Sequence, residues 1–135
     1  MTVTIESKYM ERIQKGIYAW LTTVRADGTP QPTPVWYIWD NGTFLMYSIP
    51  NQQKIRNILI NPTVTLAITD DPSGEEYVVI TGEAAIDESA PRVIDNAPYV
   101  EKYRKGMEAI NFSPESMTRD FTTAIRITPT GVRGQ

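Results

Sequence analysis

The run Pro30-Gln31-Pro32-Thr33-Pro34 restricts this chain more than any other segment. Proline has no backbone N–H, so sheets tolerate it only at edges, strand starts and bulges. Alternate residues of a strand send their backbone groups toward the same edge. Prolines at positions 30, 32 and 34 therefore strip one edge of donors, and no further strand can ladder along it in the ordinary way. Two readings of that edge stay open. It is a protected sheet margin, or a margin against which a flat ligand lies, using the backbone groups that remain.

Strand and turn signals surround this run. Residues 17–24 are rich in β-branched and aromatic side chains, and Asp27-Gly28 follows as a hairpin signal. Val35-Trp36-Tyr37-Ile38-Trp39 predicts a second strand, closed by Asn41-Gly42, and residues 43–48 a third. Val64, Leu66 and Ile68 alternate with Thr65, Ala67 and Thr69, as in a strand with two unlike faces. Residues 77–86 and 122–128 predict the fifth and sixth strands.

Helical spacing occupies the gaps. Ile5, Tyr9 and Ile13 predict a helix over 5–15, and Ile55, Ile58 and Leu59 another within 50–61. Asn51 suits the N-cap of the second, and Asn61-Pro62 ends it. A helix start is expected at Ser89 with Pro91. Beyond Pro98, the residues Tyr99, Val100, Tyr103, Met107 and Ile110 share one face, with Glu101–Lys105 and Arg104–Glu108 on the solvent side. Ser113-Pro114 starts a further short helix. Six strands with these insertions favour a mainly β (α+β) antiparallel barrel over a sandwich, and the 135 residues suit a single domain.

Composition removes whole chemistries. The sequence has no Cys and no His, hence no thiolate nucleophile, imidazole base or histidine-ligated metal. Asp70, Asp71, Glu75 and Glu76 flank Pro72-Ser73-Gly74 and lack the alternating ligands of a calcium loop, so a solvated turn rather than a metal site is expected. A net charge of −3 without a basic run argues against nucleic acid. No stretch approaches the ~20 apolar residues of a membrane span. Residues 1–14 are polar and show no export signal, so a cytoplasmic location is expected. Any redox or transfer chemistry falls to a bound cofactor.

Two more constellations are candidates for binding one. In Ser48-Ile49-Pro50-Asn51-Gln52-Gln53-Lys54-Ile55-Arg56-Asn57 a helix start carries Lys54 in its first turn. A helix N-terminus presents free N–H groups and partial positive charge to a phosphate; the same pattern also describes an ordinary solvated helix face. The aromatic set Tyr18, Trp20, Trp36, Tyr37, Trp39 and Tyr47 serves either core packing or a stacking wall, and Trp36 and Trp39 fall on opposite strand faces.

The order of several segments resembles the pyridoxamine 5′-phosphate oxidase-like superfamily. They are Leu21 through Pro30, Pro32-Thr33-Pro34-Val35-Trp36-Tyr37, Tyr47-Ser48, Lys54-Ile55-Arg56-Asn57-Ile58 and Asn61-Pro62, with Val78 through Ala84 and Arg126 through Thr130 extending the likeness. Within that superfamily the chain is most similar to the small F420-dependent oxidoreductases. The resemblance implies a six-stranded split β-barrel of the FMN-binding type, assembled as a homodimer with cofactor sites between subunits. It implies that Lys54 holds the cofactor's phosphate. Tyr47 and Ser48 end the strand that touches the phosphate or ribityl portion, and Pro34, Val35 and Trp36 run beside the ring. Arg56 and Asn57 lie close enough to assist. Gln53 stands where the FMN-dependent oxidases commonly carry arginine, which points to F420 over FMN. Hydride transfer to or from a small-molecule substrate is then the expected reaction, with no catalytic side chain. FMN chemistry on the same scaffold and a non-enzymatic flavin-binding barrel remain alternatives. Pyridoxamine phosphate oxidase activity itself is not expected, because the C-terminal substrate-binding signature is missing.

Overall fold

The proline run forms a strand and ends the sheet. Pro30–Val35 (β2) pairs on one side only, with Ala19–Val24 (β1). The register sets Pro30, Pro32 and Pro34 opposite Val24, Thr22 and Trp20. A proline cannot donate, so these are the non-hydrogen-bonded pairs of the ladder. The proline carbonyls therefore turn outward, while Gln31, Thr33 and Val35 bond to β1. The edge is a sheet margin that offers acceptors only.

The remaining strands are Ile38–Asp40 (β3), Thr43–Ser48 (β4), Thr63–Ile68 (β5), Val78–Ile86 (β6) and Thr123–Gly134 (β7). Across residues 3–135, which this computed structural model describes, the sheet is antiparallel with the order β2-β1-β5-β6-β7-β4-β3. Met1 and Thr2, which begin the polar N-terminal stretch, lie outside the described residues. β2 and β3 stand at opposite margins, about 29 Å apart if the sheet were flat at ~4.8 Å per strand. Only Trp36 and Tyr37 join them, a reach of about 10 Å at full extension. The sheet must curl until its margins meet across this link, which makes a split β-barrel.

The expected strand over residues 35–39 is thus broken, and the sheet has seven strands instead of six. Tyr37 supplies the reason. Its amide donates to the Tyr103 hydroxyl at 2.8 Å, and its carbonyl accepts from Lys102 Nζ at 2.8 Å. Side chains of a distant helix take the backbone groups that a ladder would have used.

The helices are Ser7–Lys15 (α1), Gln53–Ile60 (α2), Ala97–Ala109 (α3) and Pro114–Asp120 (α4). α2 is entered differently from expectation. Asn51 has φ 64°, a left-handed conformation, so the extended N-cap role falls to Gln52 (φ −73°, ψ 162°). Ser89 starts no α-helix; a 3-10 turn at Val93–Asp95 comes first, and Asn96 caps α3 by accepting from the Tyr99 amide. Ser113 does start α4, through a capping box with Ser116. Ile110 lies past the end of α3 and is exposed. β7 runs to Gly134, beyond the expected residue 128, because β6 pairs with it across a bulge at Thr81/Gly82.

Two apolar cores share a wall. Leu21, Phe44, Met46, Leu66, Ile80 and Ile125 fill the barrel. Leu45 and Tyr47, on the other face of β4, pack under α3 and α4 with Tyr99, Tyr103, Met107 and Met117. Trp39 packs against the first core and Trp36 against the second, so they do serve opposite faces. At Asn41 and Gly42, φ values of 51° and 79° match the two-residue turn that the sequence announced. The acidic cluster is a turn as well: Asp71 accepts from the Ser73 and Glu76 amides at 3.0 and 2.9 Å. Among the described residues, no helix is long and apolar enough to cross a membrane.

Candidate functional site

The N-terminus of α2 is open. No side chain caps it, and the backbone bonds of its first turn begin with the amides of Ile55 and Arg56, which donate to Gln52. The amides of Gln53 and Lys54 are left for an anion, at the positive end of the helix dipole. They border a polar depression of about 270 Å³ lined by Gln31, Thr33, Asn51, Gln52, Gln53, Lys54 and Arg56.

A side-chain network holds this depression in shape. Asn57, 1% exposed, donates to Thr23 Oγ1 at 2.9 Å and to Gln31 Oε1 at 3.0 Å. Gln53 donates to Asn57 Oδ1 at 2.7 Å and accepts from Arg56 Nη2 at 2.7 Å. Arg56 also donates to the Asn51 carbonyl. Gln53 therefore brackets Arg56, and Asn57 acts from beneath the surface rather than in the depression. Lys54 Nζ donates to Gln52 Oε1 at 2.5 Å. Burial pushes the Lys54 ammonium below its ordinary pKa.

Lys54 also lines a second, apolar cleft of about 200 Å³. There it meets Pro34, Val35, Trp36 and Tyr47 from the expected set. The opposite wall comes from Tyr99, Ile110, Phe112, Met117 and Phe121. These residues were not anticipated as site residues. The aromatic content of residues 99–121 is the available signal, but Tyr99 and Ile110 read as one face of a helix, and Phe112, Met117 and Phe121 carry no motif of their own. Tyr47 is fixed at its tip, donating to the Pro91 carbonyl at 2.7 Å and accepting from Asn96 at 2.9 Å, and it meets Tyr99 edge to face. Ser48 does not enter the cleft; it is buried and donates to the Ile49 carbonyl.

Chemically the arrangement is suited to binding rather than to acid–base work. Burial holds the phenols of Tyr47 and Tyr99 above their ordinary pKa, so they stay protonated and cannot act as bases. Cleft and depression each fall short of the roughly 300–1,000 Å³ of typical ligand pockets. Joined at Lys54, they suit a ligand with a planar apolar ring at one end and a phosphate at the other. A larger hollow of about 600 Å³ runs along the outer side of α3, between Ile94 and Lys105, and contains none of these groups.

A solved F420 reductase is 26% identical over 97% of this chain and 100% of its own, with a TM-score of 0.73. A conserved hypothetical protein from Mycobacterium tuberculosis gives a TM-score of 0.77 at 20% identity, covering 98% of this chain and 85% of that one. The heme storage protein of Vibrio cholerae gives 0.67 at 17% identity, covering 98% and 95%; these last two likenesses show the fold alone. A search of curated protein sequences found no match. The family profile described as pyridoxamine 5′-phosphate oxidase matches residues 5–135, the span that carries the curled sheet, the open helix terminus and the cleft. The chain belongs to the pyridoxamine 5′-phosphate oxidase-like family.

Proposed function

We propose that this protein is an oxidoreductase that uses F420 to transfer a hydride to or from a small-molecule substrate. The observation that carries this reading is the junction at Lys54 of an aromatic-walled cleft with a cationic, amide-lined depression. The likeness to an F420 reductase over the whole chain supports the choice of cofactor. When bound, the deazaflavin supplies the hydride chemistry. The protein's part is to bind and orient. Lys54, Arg56 and the free amides of Gln53 and Lys54 hold the phosphate, and Val35 and Trp36 flank the ring. Tyr47, Tyr99, Phe112 and Phe121 keep water from it.

A second reading is FMN, and Arg56 favours it, since two cations at one depression suit a dianionic monoester. A homodimer completes either site. Ile17, Tyr18 and Trp20 are exposed, and Trp20 lies opposite Pro34 in the β1–β2 register. This apolar outer surface therefore reaches the rim of the cleft, where a second copy would close it.

The test is titration of the purified protein with F420 and with FMN, followed by anaerobic reduction of each complex and reoxidation by candidate acceptors. Tighter binding of F420 with turnover is expected, in a particle of twice the chain mass by sedimentation. Tighter binding of FMN overturns the cofactor choice. Binding without turnover leaves a carrier barrel, and a ligand-bound monomer refutes the shared site.

A further inference from the structure

We propose that the indole of Trp36 is the stacking surface of the cleft: a planar conjugated ring bound there forms a third layer on Tyr103 and Trp36, and Gly106 positions that stack. This rests on the reading of the cleft as a ring site and specifies which surface the ring meets.

Trp36 and Tyr103 are stacked, with ring centroids 4.6 Å apart and planes 4° from parallel. Tyr103 is 1% exposed and anchored through its hydroxyl. Its hydroxyl accepts from the Tyr37 amide at 2.8 Å, with the Ile17 and Tyr37 carbonyl oxygens at 2.7 and 2.8 Å available to its single proton. Tyr103 thus covers one face of the indole from the protein side. Trp36 is half-buried and lines the cleft, whereas Tyr103 does not. The indole surface left over is the surface offered to a ligand.

Gly106 is the independent observation. It sits inside α3, where glycine is among the poorest residues. A Cβ at this position would lie 3.3 Å from both Cη2 and Cζ2 of Trp36, so the indole would have to give by a few tenths of an ångström. Tyr103 and Gly106 are three residues apart and share one face of α3. The helix supplies a flat ring under the indole and a bare backbone at its edge, and so sets both its tilt and its height. An electron-rich indole held in this way favours an electron-poor partner, such as an isoalloxazine or deazaflavin ring, over a saturated one.

The experiment uses FMN and lumiflavin, the same ring without ribityl or phosphate, on the wild type, Trp36→Leu, Trp36→Phe and Gly106→Ala. The wild type should bind both probes and quench their emission, because an indole in stacking contact donates to the excited ring. Trp36→Leu should weaken lumiflavin binding on the order of ten-fold, the scale of a lost aromatic pair. Trp36→Phe keeps an aromatic ring and should retain most of the affinity while the bound probe becomes brighter. Gly106→Ala should weaken lumiflavin binding a few-fold and shift the bound absorption band, because its Cβ displaces the indole. A merely structural glycine would change melting while leaving lumiflavin affinity and the bound spectrum alone. Wild-type affinity and quenching in both Trp36→Leu and Gly106→Ala overturn the stack while leaving the ring site standing. A wild type that binds neither FMN nor lumiflavin, and does not bind F420, overturns the ring site and the stack with it.

Discussion

Lys54 is the residue whose removal tests the site most directly. It alone lines both the apolar cleft and the polar depression. Its ammonium is partly desolvated and makes no ion pair among the described residues; it donates to Gln52 Oε1, 2.5 Å away. Such a cation is poised for a phosphate. A hydrogen bond to a charged group contributes about 1.5–3 kcal/mol, so Lys54→Ala should raise the dissociation constant for FMN or F420 roughly 10- to 100-fold. Because Lys54 is half-exposed, screening moves the result toward the lower end and makes it shrink with added salt. Lys54→Met keeps the apolar stem and removes only the charge. It should lose phosphate-bearing ligands as Lys54→Ala does, yet bind lumiflavin like the wild type. Melting of the ligand-free protein should hardly move, since Gln52 Oε1 is exposed and water replaces the lost donor. The pH dependence has a definite sign. Burial lowers the Lys54 pKa below the ordinary 10.5, and only the protonated form attracts phosphate. Affinity should therefore fall as pH rises through that lowered value, and Lys54→Met should lack this fall. Fluorescence titration at two salt concentrations measures all of this. Unchanged FMN and F420 affinity in both variants, or equal losses for FMN and lumiflavin, would refute the assignment of Lys54 to a phosphate.

Further expectations follow from neighbouring contacts. Gln53→Arg adds a planar fork at the depression and should shift preference from F420 toward FMN in paired titrations; equal changes for both ligands would discard that explanation. Arg126 joins Asp87 at 2.8 Å and Asp40 at 3.1 Å, and hydrogen bonds from Ser89 and then Arg126 hold Asp87 down to about 2. A carboxylate with a depressed folded pKa contributes stability that is present above the ordinary 3.8 and lost as pH falls toward 2. Arg126→Met should flatten part of that loss in urea midpoints taken at pH 7, 4 and 3, the remainder belonging to Ser89. Burial lowers Lys102 to about 8, so the unfolded chain holds more protons between there and 10.5, and stability should rise with pH across that window. The Lys102 contacts with the Tyr37 carbonyl, at 2.8 Å, and ring, 4.0 Å to its centroid, favour the charged form and oppose this. A Lys102→Met difference curve that is flat from pH 8 to 10 would show that those contacts cancel the effect of burial, and one that falls with pH that they outweigh it.

What the chain determined by itself is local. Alternating prolines dictate a one-sided strand because the missing donors belong to the residues themselves. Asn41-Gly42 dictates its turn because few residues accept positive φ, and Val64 through Ile68 dictate two faces because a strand repeats every second residue. Lys54 in the first turn of a helix followed from short-range spacing too, whereas Pro34, Val35, Trp36 and Tyr47 were expected beside it only from the family resemblance. The tertiary structure decided what depends on partners far away in sequence. The strand expected at residues 35–39 is interrupted at Trp36 and Tyr37 because Tyr103, 66 positions after Tyr37, takes the Tyr37 amide. Asn57, expected to lie close enough to the phosphate to assist, is buried because Thr23 and Gln31 lie over it with acceptors. Tyr99, Phe112, Met117 and Phe121 face a cleft and not only a core, because the curled sheet brings Pro34 and Tyr47 against α3 and α4. Gly106 is explained only by an indole 70 positions earlier. A residue's own conformational limits are written in its neighbours along the chain, whereas burial and hydrogen-bond partners are set by whichever segments the closed sheet places beside it.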